Sequence, residues 1–212
     1  MTPAAQNNFA VCGYVLAGGA SRRFGSDKAL ARIGGETLLT RMSKLVQSSI
    51  GSVRIVAPRG RYFDSGFEAV EDRWPDEGPL GGIITAMSAS EKVGNAWGWN
   101  LIVSCDMPFL TQEWLMYLCE HALAGDCEVV VPRSAYGLEP LCACWKTSAL
   151  ETLQAAFDES ARKVTEAMKR LRMEILDETH WKRFDSGGQL FWNMNTAQDY
   201  QEAVRISQME RA

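Results

Sequence analysis

The sequence lacks the features that mark membrane, secreted and nucleic-acid-coating proteins. No stretch of its 212 residues approaches the roughly 18 apolar residues that span a membrane. Its first residues lack the basic segment and the long apolar run of a signal peptide. We therefore expect a cytoplasmic protein with no membrane partner. The formal net charge of −4 argues against a nucleic-acid partner, because coating a nucleic acid requires clustered excess cation.

Patterns of metal-binding and nucleophilic residues are also missing. The six cysteines contain no CxxC pair, and no group of cysteine and histidine has zinc-site spacing. Cys142 and Cys144 would share one face of a strand, which does not favour a bridge between them, so we expect buried free thiols. His121 and His180 match no motif and are interpreted as structural or surface residues. No Ser-His-Asp triad or catalytic cysteine pattern is present.

Short apolar runs alternate with amphipathic segments along the chain. Strands are predicted at 9–16, 53–57, 68–71, 99–104, 127–132 and 141–145. Helices are predicted at 36–49, 80–90, 112–124, 148–157 and 162–171, and an extended stretch at 189–194 leads into a last helix capped by Thr196. This order predicts a three-layer α/β fold with a mostly parallel central sheet. One domain would span residues 9–208 after a loose lead at 1–8, with its ligand at the carboxyl ends of the strands.

The loop after the first strand carries the strongest signal for phosphate binding. Gly18 and Gly19 have no Cβ, so their backbone can approach a ligand, and successive N–H groups there form a concave anion site. Arg22, Arg23 and Lys28 add three cations within seven positions. The spacing fits neither GxxxxGK[ST] nor GxGxxG. The pattern indicates a triphosphate site; the alternative is a glycine-rich turn with solvated cations.

An acidic residue follows the strand predicted at 99–104. Asp106 lies in the segment Cys105-Asp106-Met107-Pro108. A carboxylate at a strand end can hold Mg²⁺, which typically takes one or two protein carboxylates together with substrate phosphates. The alternative is an aspartate that only caps the turn before Pro108.

Together these segments resemble a known family. The pattern LAGG-x-S-x-R-x-G-x-DK looks like the signature of molybdenum cofactor guanylyltransferases and their cytidylyl relatives, and it is matched by Leu16, Ala17, Gly18, Gly19, Ser21, Arg23, Gly25, Asp27 and Lys28. The family's CD-x-P element matches residues 105–108, and its GPL-x-G turn matches residues 78–82. The resemblance covers residues 11–203 and implies a Rossmann-like nucleotidyltransferase fold of the GT-A type.

The resemblance also implies roles for individual residues. Lys28 and Arg23 would neutralise the triphosphate, and Asp106 would hold Mg²⁺. Asp72 would contact the base or the ribose, since a carboxylate can accept from guanine or from ribose hydroxyls; the alternative for Asp72 is a solvated loop acid. The implied nucleotide-binding set is Leu16, Ala17, Gly18, Gly19, Lys28, Asp72, Gly81 and Asp106.

The acceptor side departs further from the family. Asn193 and Asn195 match an N-x-NT element and would complete metal or phosphate coordination from one side of an extended strand; the alternative is a pair of Asx turns or a cap. Glu139 stands before Pro140 where several relatives have His. Arg162 and Lys163 lie where relatives carry basic residues that meet the acceptor phosphate, the alternative being a solvated helix start.

The implied activity is transfer of GMP from GTP to the phosphate of molybdenum-molybdopterin. The expected partners are these two substrates, with transient contacts to molybdoenzymes or their chaperones. The LAGG motif with its two glycines, Gly18 and Gly19, favours the guanylyl branch, because cytidylyl relatives tend to have LAAG, whereas Ala57 replaces an asparagine that binds nucleotide in some relatives. The alternatives are a molybdenum cofactor cytidylyltransferase, a sugar-phosphate nucleotidyltransferase and a non-catalytic module that presents molybdopterin to apoenzymes.

Overall fold

A computed structural model describes residues 10–18, 27–92 and 98–209. The strands are β1 (Val11–Leu16), β2 (Arg32–Ile33), β3 (Glu36–Thr37), β4 (Arg54–Ala57), β5 (Glu68–Glu71), β6 (Trp99–Ser104), β7 (Val129–Ser134), β8 (Gly137–Leu138), β9 (Cys142–Lys146) and β10 (Met173–Leu176). The helices are α1 (Leu38–Ile50), α2 (Pro79–Lys92), α3 (Gln112–Ala124), α4 (Leu150–Asp158), α5 (Val164–Ala167), α6 (Glu178–Trp181) and α7 (Ala197–Met209). The predicted lead at 1–8 lies outside these ranges, as do Gly19, Arg22 and Arg23.

The central sheet is mostly parallel, as the sequence predicts. Its strand order is β10-β7-β9-β6-β1-β4-β5, with β8 paired to β7. β1 runs parallel to both β4 and β6, β4 is parallel to β5, and β7 is parallel to β10. Strand β9 is antiparallel to its two neighbours. The carboxyl ends of β1, β4, β5 and β6 therefore lie at one edge of the sheet.

Helices cover both faces of this sheet. α1 and α3 pack together on one face, over a core that includes Met42, Val46 and Trp114. α2 and α4 cover the other face, with Ile84 and Leu153 in the core. The result is the expected three-layer α/β fold. α7 packs against the small hairpin of β2 and β3.

Local sequence explains where the layers meet and where helices begin. A Cβ on Gly13 in β1 would lie 2.4 Å from Val46 Cγ1 and 2.6 Å from the carbonyl oxygen of Ser52, so the close packing of α1 on β1 requires glycine there. The hydroxyl of Thr37 accepts from the backbone N–H of Thr40 at the start of α1. Thr111 caps α3 in the same way, because its hydroxyl accepts from the backbone N–H of Trp114.

Three predicted segments differ from the structure. The first helix begins at Leu38 because Glu36 and Thr37 pair with β2. The predicted helix at 162–171 is reduced to the four residues of α5 and a 3₁₀ turn at Met168–Arg170. The predicted extended stretch at 189–194 forms no strand: the carboxylate of Asp185 accepts from the N–H groups of Gln189 and Leu190, and residues 190 and 191 form a turn.

All six cysteines are free and buried, so their expected burial is confirmed. Cys119 and Cys144 have their sulfur atoms 3.7 Å apart in the core, between α3 and β9. His121, on α3, is hydrogen-bonded to Glu174. No helix in the described part of the chain has the length and apolar character needed to cross a membrane.

Candidate active site

A cavity of about 590 Å³ lies at the carboxyl ends of β1, β4, β5 and β6. Parallel strands end at the same edge of a sheet, and ligands of α/β proteins bind there. Six of the predicted nucleotide-binding residues line the cavity: Leu16, Ala17, Gly18, Lys28, Asp72 and Asp106. Two other predicted residues, Gly19 and Arg23, lie outside the described ranges.

Lys28 and Asp106 meet inside this cavity although they are 78 positions apart in the sequence. The Nζ atom of Lys28 lies 2.6 Å from Oδ2 of Asp106, and the two side chains are only 16% and 15% exposed. The amide of Asn195 accepts a second hydrogen bond from Lys28 Nζ, at 3.2 Å. Pairing of β1 with β6 explains the convergence, because Leu16 and Ser104 are in register at the ends of these strands.

The other carboxylate oxygen of Asp106 has a different environment. Oδ1 is buried and has no hydrogen-bond partner within the described ranges. A buried charged oxygen without a partner is costly, so this atom is suited to accept a ligand. No three His, Cys, Asp or Glu side chains of the described residues group closely enough to hold a metal ion. A metal at Asp106 would therefore take most of its ligands from substrate and water, as Mg²⁺ does.

The segment 193–195 contacts three separate residues. The side-chain amide of Asn193 donates to the backbone carbonyl of Phe191 at 3.3 Å and lies near Glu139. The N–H of Met194 donates to the backbone carbonyl of Asp106 at 2.9 Å, and Asn195 bonds to Lys28. The two asparagines therefore reach different partners. This corrects the expectation of two amides presented side by side from a strand.

Glu139 is buried beside the cavity and does not line it. Its side chain accepts a hydrogen bond of 2.6 Å from the hydroxyl of Ser134. Burial raises the pKa of the Glu139 carboxyl, while the hydrogen bonds from Ser134 and Asn193 act in the opposite direction. The position at which relatives have His is thus part of a buried polar cluster.

Asp72 is held at the end of β5, on the far side of the cavity from β6. Its Oδ1 atom accepts from the N–H of Trp74 at 3.0 Å and from the hydroxyl of Thr85 at 3.2 Å. Of the two adjacent glycines in the first turn of α2, Gly82 lines the cavity and Gly81 does not. A Cβ on Gly81 would lie 3.0 Å from the Cβ of Trp74, so its lack of a side chain serves packing. Nucleotide binding by Gly81 stays a prediction, and its neighbour Gly82 is the glycine that lines the cavity.

The two basic residues predicted for the acceptor lie outside the cavity lining. Arg162 pairs with Glu77 at 2.9 Å, and its guanidinium carbon lies 4.1 Å from the centre of the Phe157 ring. Lys163 is 78% exposed and lies 3.8 Å from a carboxylate oxygen of Glu166. Gly78, which lines the cavity, is next to Arg162, because a Cβ on Gly78 would lie 3.6 Å from the Arg162 carbonyl.

Several cavity residues were missing from the predicted site, among them the charged or aromatic residues Asp27, Arg61, Tyr62 and Asp76. The carboxylate of Asp27 accepts from the hydroxyl of Tyr62 and from the guanidinium of Arg61. Asp27 belongs to the Asp-Lys pair of the signature, and Arg61 and Tyr62 follow β4, which ends at the same sheet edge as β1. The predicted strand at 53–57 could therefore have indicated that Arg61 and Tyr62, which follow it, reach the cavity.

Cys105 also lines the cavity, directly before Asp106. Burial, reinforced by the negative charge of Asp106, raises the pKa of this thiol to about 12. A protonated thiol is a poor nucleophile. Covalent catalysis by Cys105 is therefore disfavoured, in agreement with the sequence.

A mostly parallel sheet whose strand ends bring together a lysine, a carboxylate and glycine backbone is suited to bind a nucleotide, and the comparisons with known proteins assign the chain to the nucleotidyltransferases. Molybdopterin-guanine dinucleotide biosynthesis protein A from Archaeoglobus fulgidus has the same fold, with a TM-score of 0.77 at 24% identity over 93% of this chain and 98% of that one. The chain belongs to the family of MobA-like NTP transferase domains, whose family model matches residues 13–173.

Two relatives match nearly the whole chain. A probable molybdenum cofactor guanylyltransferase from Pelotomaculum thermopropionicum is 30% identical over 94% of this chain and 94% of its own length. A molybdenum cofactor guanylyltransferase from Desulfosudis oleivorans is 31% identical over 92% of this chain and 94% of its own. Nucleotidyltransferases of this kind generally use a divalent metal.

Proposed function

We propose that this chain transfers GMP from GTP to the phosphate of molybdenum-molybdopterin and releases pyrophosphate. The observation that carries the proposal is the pairing of Lys28 with Asp106 in a cavity at the strand ends. A lysine and a carboxylate held there suit a metal-bound triphosphate. The names of the relatives support guanine as the base and molybdopterin as the acceptor.

In the proposed reaction an oxygen of the acceptor phosphate attacks the α-phosphorus of GTP. The bond from that phosphorus to the oxygen that bridges to the β-phosphorus breaks, and its electron pair leaves with pyrophosphate. The acceptor phosphate is already ionised at neutral pH, so the step needs no dedicated base. Positioning of the two substrates and neutralisation of the leaving group then supply most of the rate enhancement.

Different residues around the cavity would contact the triphosphate and the base or ribose. Lys28, with Arg23 from the loop outside the described ranges, would neutralise the triphosphate. The backbone of Gly18 and Gly19 would admit the phosphates, together with Leu16 and Ala17. Asp72 would accept hydrogen bonds from the base or the ribose. Only its Oδ1 atom has protein donors among the described residues, and this leaves Oδ2 for the nucleotide.

Asp106 would hold Mg²⁺ through the oxygen that has no partner within the described ranges. The metal would supply charge stabilisation to the phosphate oxygens. In this structure the ammonium of Lys28 is the cation at Asp106. We infer that Lys28 exchanges Asp106 for the triphosphate when the nucleotide binds. Asn195, which contacts Lys28, would complete the metal or phosphate contacts.

The proposed acceptor contacts are Glu139, Asn193, Arg162 and Lys163. Asn193, which lies near Glu139, would act with it. Lys163 is free to turn toward an incoming phosphate because its only close carboxylate in the described ranges is 3.8 Å away. Arg162 would have to leave Glu77 to do the same. We propose a cytoplasmic enzyme that passes its product to molybdoenzymes or their chaperones.

Product analysis tests this function. The protein is incubated with Mg²⁺, molybdenum-loaded molybdopterin and GTP, CTP or ATP in separate reactions, and the products are identified by mass spectrometry. We expect the guanine dinucleotide and pyrophosphate with GTP. A preference for CTP would instead support the cytidylyltransferase. Tight binding of GTP and molybdopterin without pyrophosphate release would support the non-catalytic module.

A further inference from the structure

Tyr62 has an unusual backbone conformation at the cavity wall. Its φ and ψ angles are 61° and 16°, in the left-handed region that residues other than glycine rarely adopt. Such a conformation persists when surrounding contacts hold it, and it is concentrated at functional sites. The ring of Tyr62 packs against the core beneath α1 and α3. In this backbone conformation the Tyr62 hydroxyl contacts Asp27.

The hydroxyl of Tyr62 reaches both carboxylate oxygens of Asp27, at 2.8 and 2.7 Å. Burial raises the pKa of Tyr62 above its usual range, and the hydrogen bond to Asp27 and the negative charge of that residue raise it further. The hydroxyl therefore stays protonated and donates to the carboxylate. Arg61 adds a contact of 2.9 Å to Oδ2 of Asp27. The carboxylate is thus held from one side by two consecutive residues.

Asp27 in turn fixes the backbone that carries Lys28. Its Oδ1 atom accepts from the N–H of Ala29 at 3.1 Å and caps the 3₁₀ turn Lys28–Leu30. The N–H of Ala31 closes this turn by donating to the carbonyl of Lys28. A chain of direct contacts therefore leads from the Tyr62 hydroxyl through Asp27 to the turn that begins at Lys28.

We propose that Tyr62 is a positioning residue for Lys28 and acts through Asp27. This inference rests on the proposed function, in which Lys28 turns from Asp106 to the triphosphate. Once Lys28 leaves Asp106 and Asn195, its side chain loses both contacts that hold it in this structure. The anchored turn then sets where its ammonium can reach. Tyr62 keeps this turn in place during the phosphate-bound stage.

The test is Tyr62→Phe, which keeps the ring and removes only the hydroxyl. Because small misplacements of catalytic groups are costly, we expect kcat for GMP transfer to fall about 10-fold and GTP affinity about 3-fold. In a Lys28→Met background the same change should have no further effect on either quantity, since residues that act through one another are not additive. Unchanged kcat and GTP affinity in Tyr62→Phe, or an equal loss in both backgrounds, would overturn the proposal.

Tyr14→Phe is the matched control for the loss of a hydroxyl. The Tyr14 hydroxyl is hydrogen-bonded to Ser90 at 2.7 Å in the core and does not line the cavity. Both variants should lose thermal stability, but Tyr14→Phe should keep wild-type kcat and GTP affinity. An equal loss of activity in Tyr14→Phe would mean that Tyr62 has only a structural role. If the wild-type protein does not transfer GMP, the proposed function fails, and the comparison of GTP affinities in the two backgrounds still tests the positioning role.

Discussion

Two groups of charged residues behave differently in this molecule. At the strand ends, Lys28 and Asp106 come from distant parts of the sequence and meet at 2.6 Å within a cavity. At the start of α5, Arg162 and Lys163 lie outside the cavity lining and pair with Glu77 and Glu166. Pairing of strands brings the first group together. The charges of the second group are balanced by carboxylates on nearby surface segments.

The comparison shows which charges carry functional information. Exposed ion pairs contribute little to stability and are readily exchanged for water. A largely buried pair loses solvation on both partners, so removing one partner leaves a costly charge behind. Asp106 has in addition a buried oxygen with no partner in the described residues. Substitutions at the strand ends should therefore change catalysis strongly, and those near α5 only weakly.

The largest effect is expected for Asp106→Asn. The amide keeps the size of the side chain but removes the charge that would hold Mg²⁺, so kcat should fall about 10³-fold in a pyrophosphate-release assay. Asp126→Asn is the control, because Asp126 is highly exposed and pairs with Lys146 and Arg172. Full activity in Asp106→Asn would overturn the metal assignment.

Lys28→Met should have the next largest effect. The methionine fills similar space without a charge, so the triphosphate and the leaving pyrophosphate lose a cation. We expect kcat/KM for GTP to fall about 10²-fold in steady-state assays. Lys44→Met, at an exposed lysine that pairs with Glu36, should behave like the wild-type protein. Comparable losses in the two variants would show that net charge, and not position, is responsible.

A smaller effect is expected at Arg61, which lines the cavity and offsets the charge of Asp27. Arg61→Ala leaves that carboxylate facing the triphosphate with less compensation, so GTP should bind about 5-fold more weakly in calorimetric titrations. Arg59→Ala makes the same charge change two positions away, at an exposed residue outside the cavity lining. GTP affinity that is equal in the two variants would remove Arg61 from the site.

The smallest effects on catalysis are expected near α5. Lys163→Ala should raise KM for the acceptor about 3-fold and leave thermal stability unchanged, as is typical of an exposed charge. Arg162→Ala should also lower the free energy of unfolding by about 1 kcal/mol, because it loses contacts with Phe157 and Glu77. Denaturant titration measures the second effect. An acceptor KM unchanged in both variants would place the acceptor phosphate elsewhere.

The convergence of Lys28 and Asp106 could be predicted because it depends on strand order. Continuous apolar runs identified β1 and β6, and parallel strands bring their carboxyl ends to one edge. The glycine-rich turn after β5 was located correctly, but Gly82 rather than Gly81 lines the cavity. Sequence patterns do not specify which of two adjacent glycines packs against Trp74, because that depends on side chains from other elements.

The contacts of Tyr62 and of the 193–195 segment could not be predicted in the same way. Tyr62 reaches Asp27 only because its backbone is left-handed, and no residue type in that loop requires this conformation. Asn195 reaches Lys28 from a segment that belongs to no strand or helix. The motif identified this residue, but its partner depends on tertiary contacts such as the bond from Met194 to Asp106.

The most direct test of the account measures how Mg²⁺ and GTP affect each other's binding. GTP is titrated into the wild-type protein and into Asp106→Asn, with and without Mg²⁺, by calorimetry. If Lys28 and Asp106 surround one metal-bound triphosphate, Mg²⁺ should strengthen GTP binding about 10-fold in the wild-type protein and have little effect in the variant. The same Mg²⁺ dependence in both proteins would contradict the account.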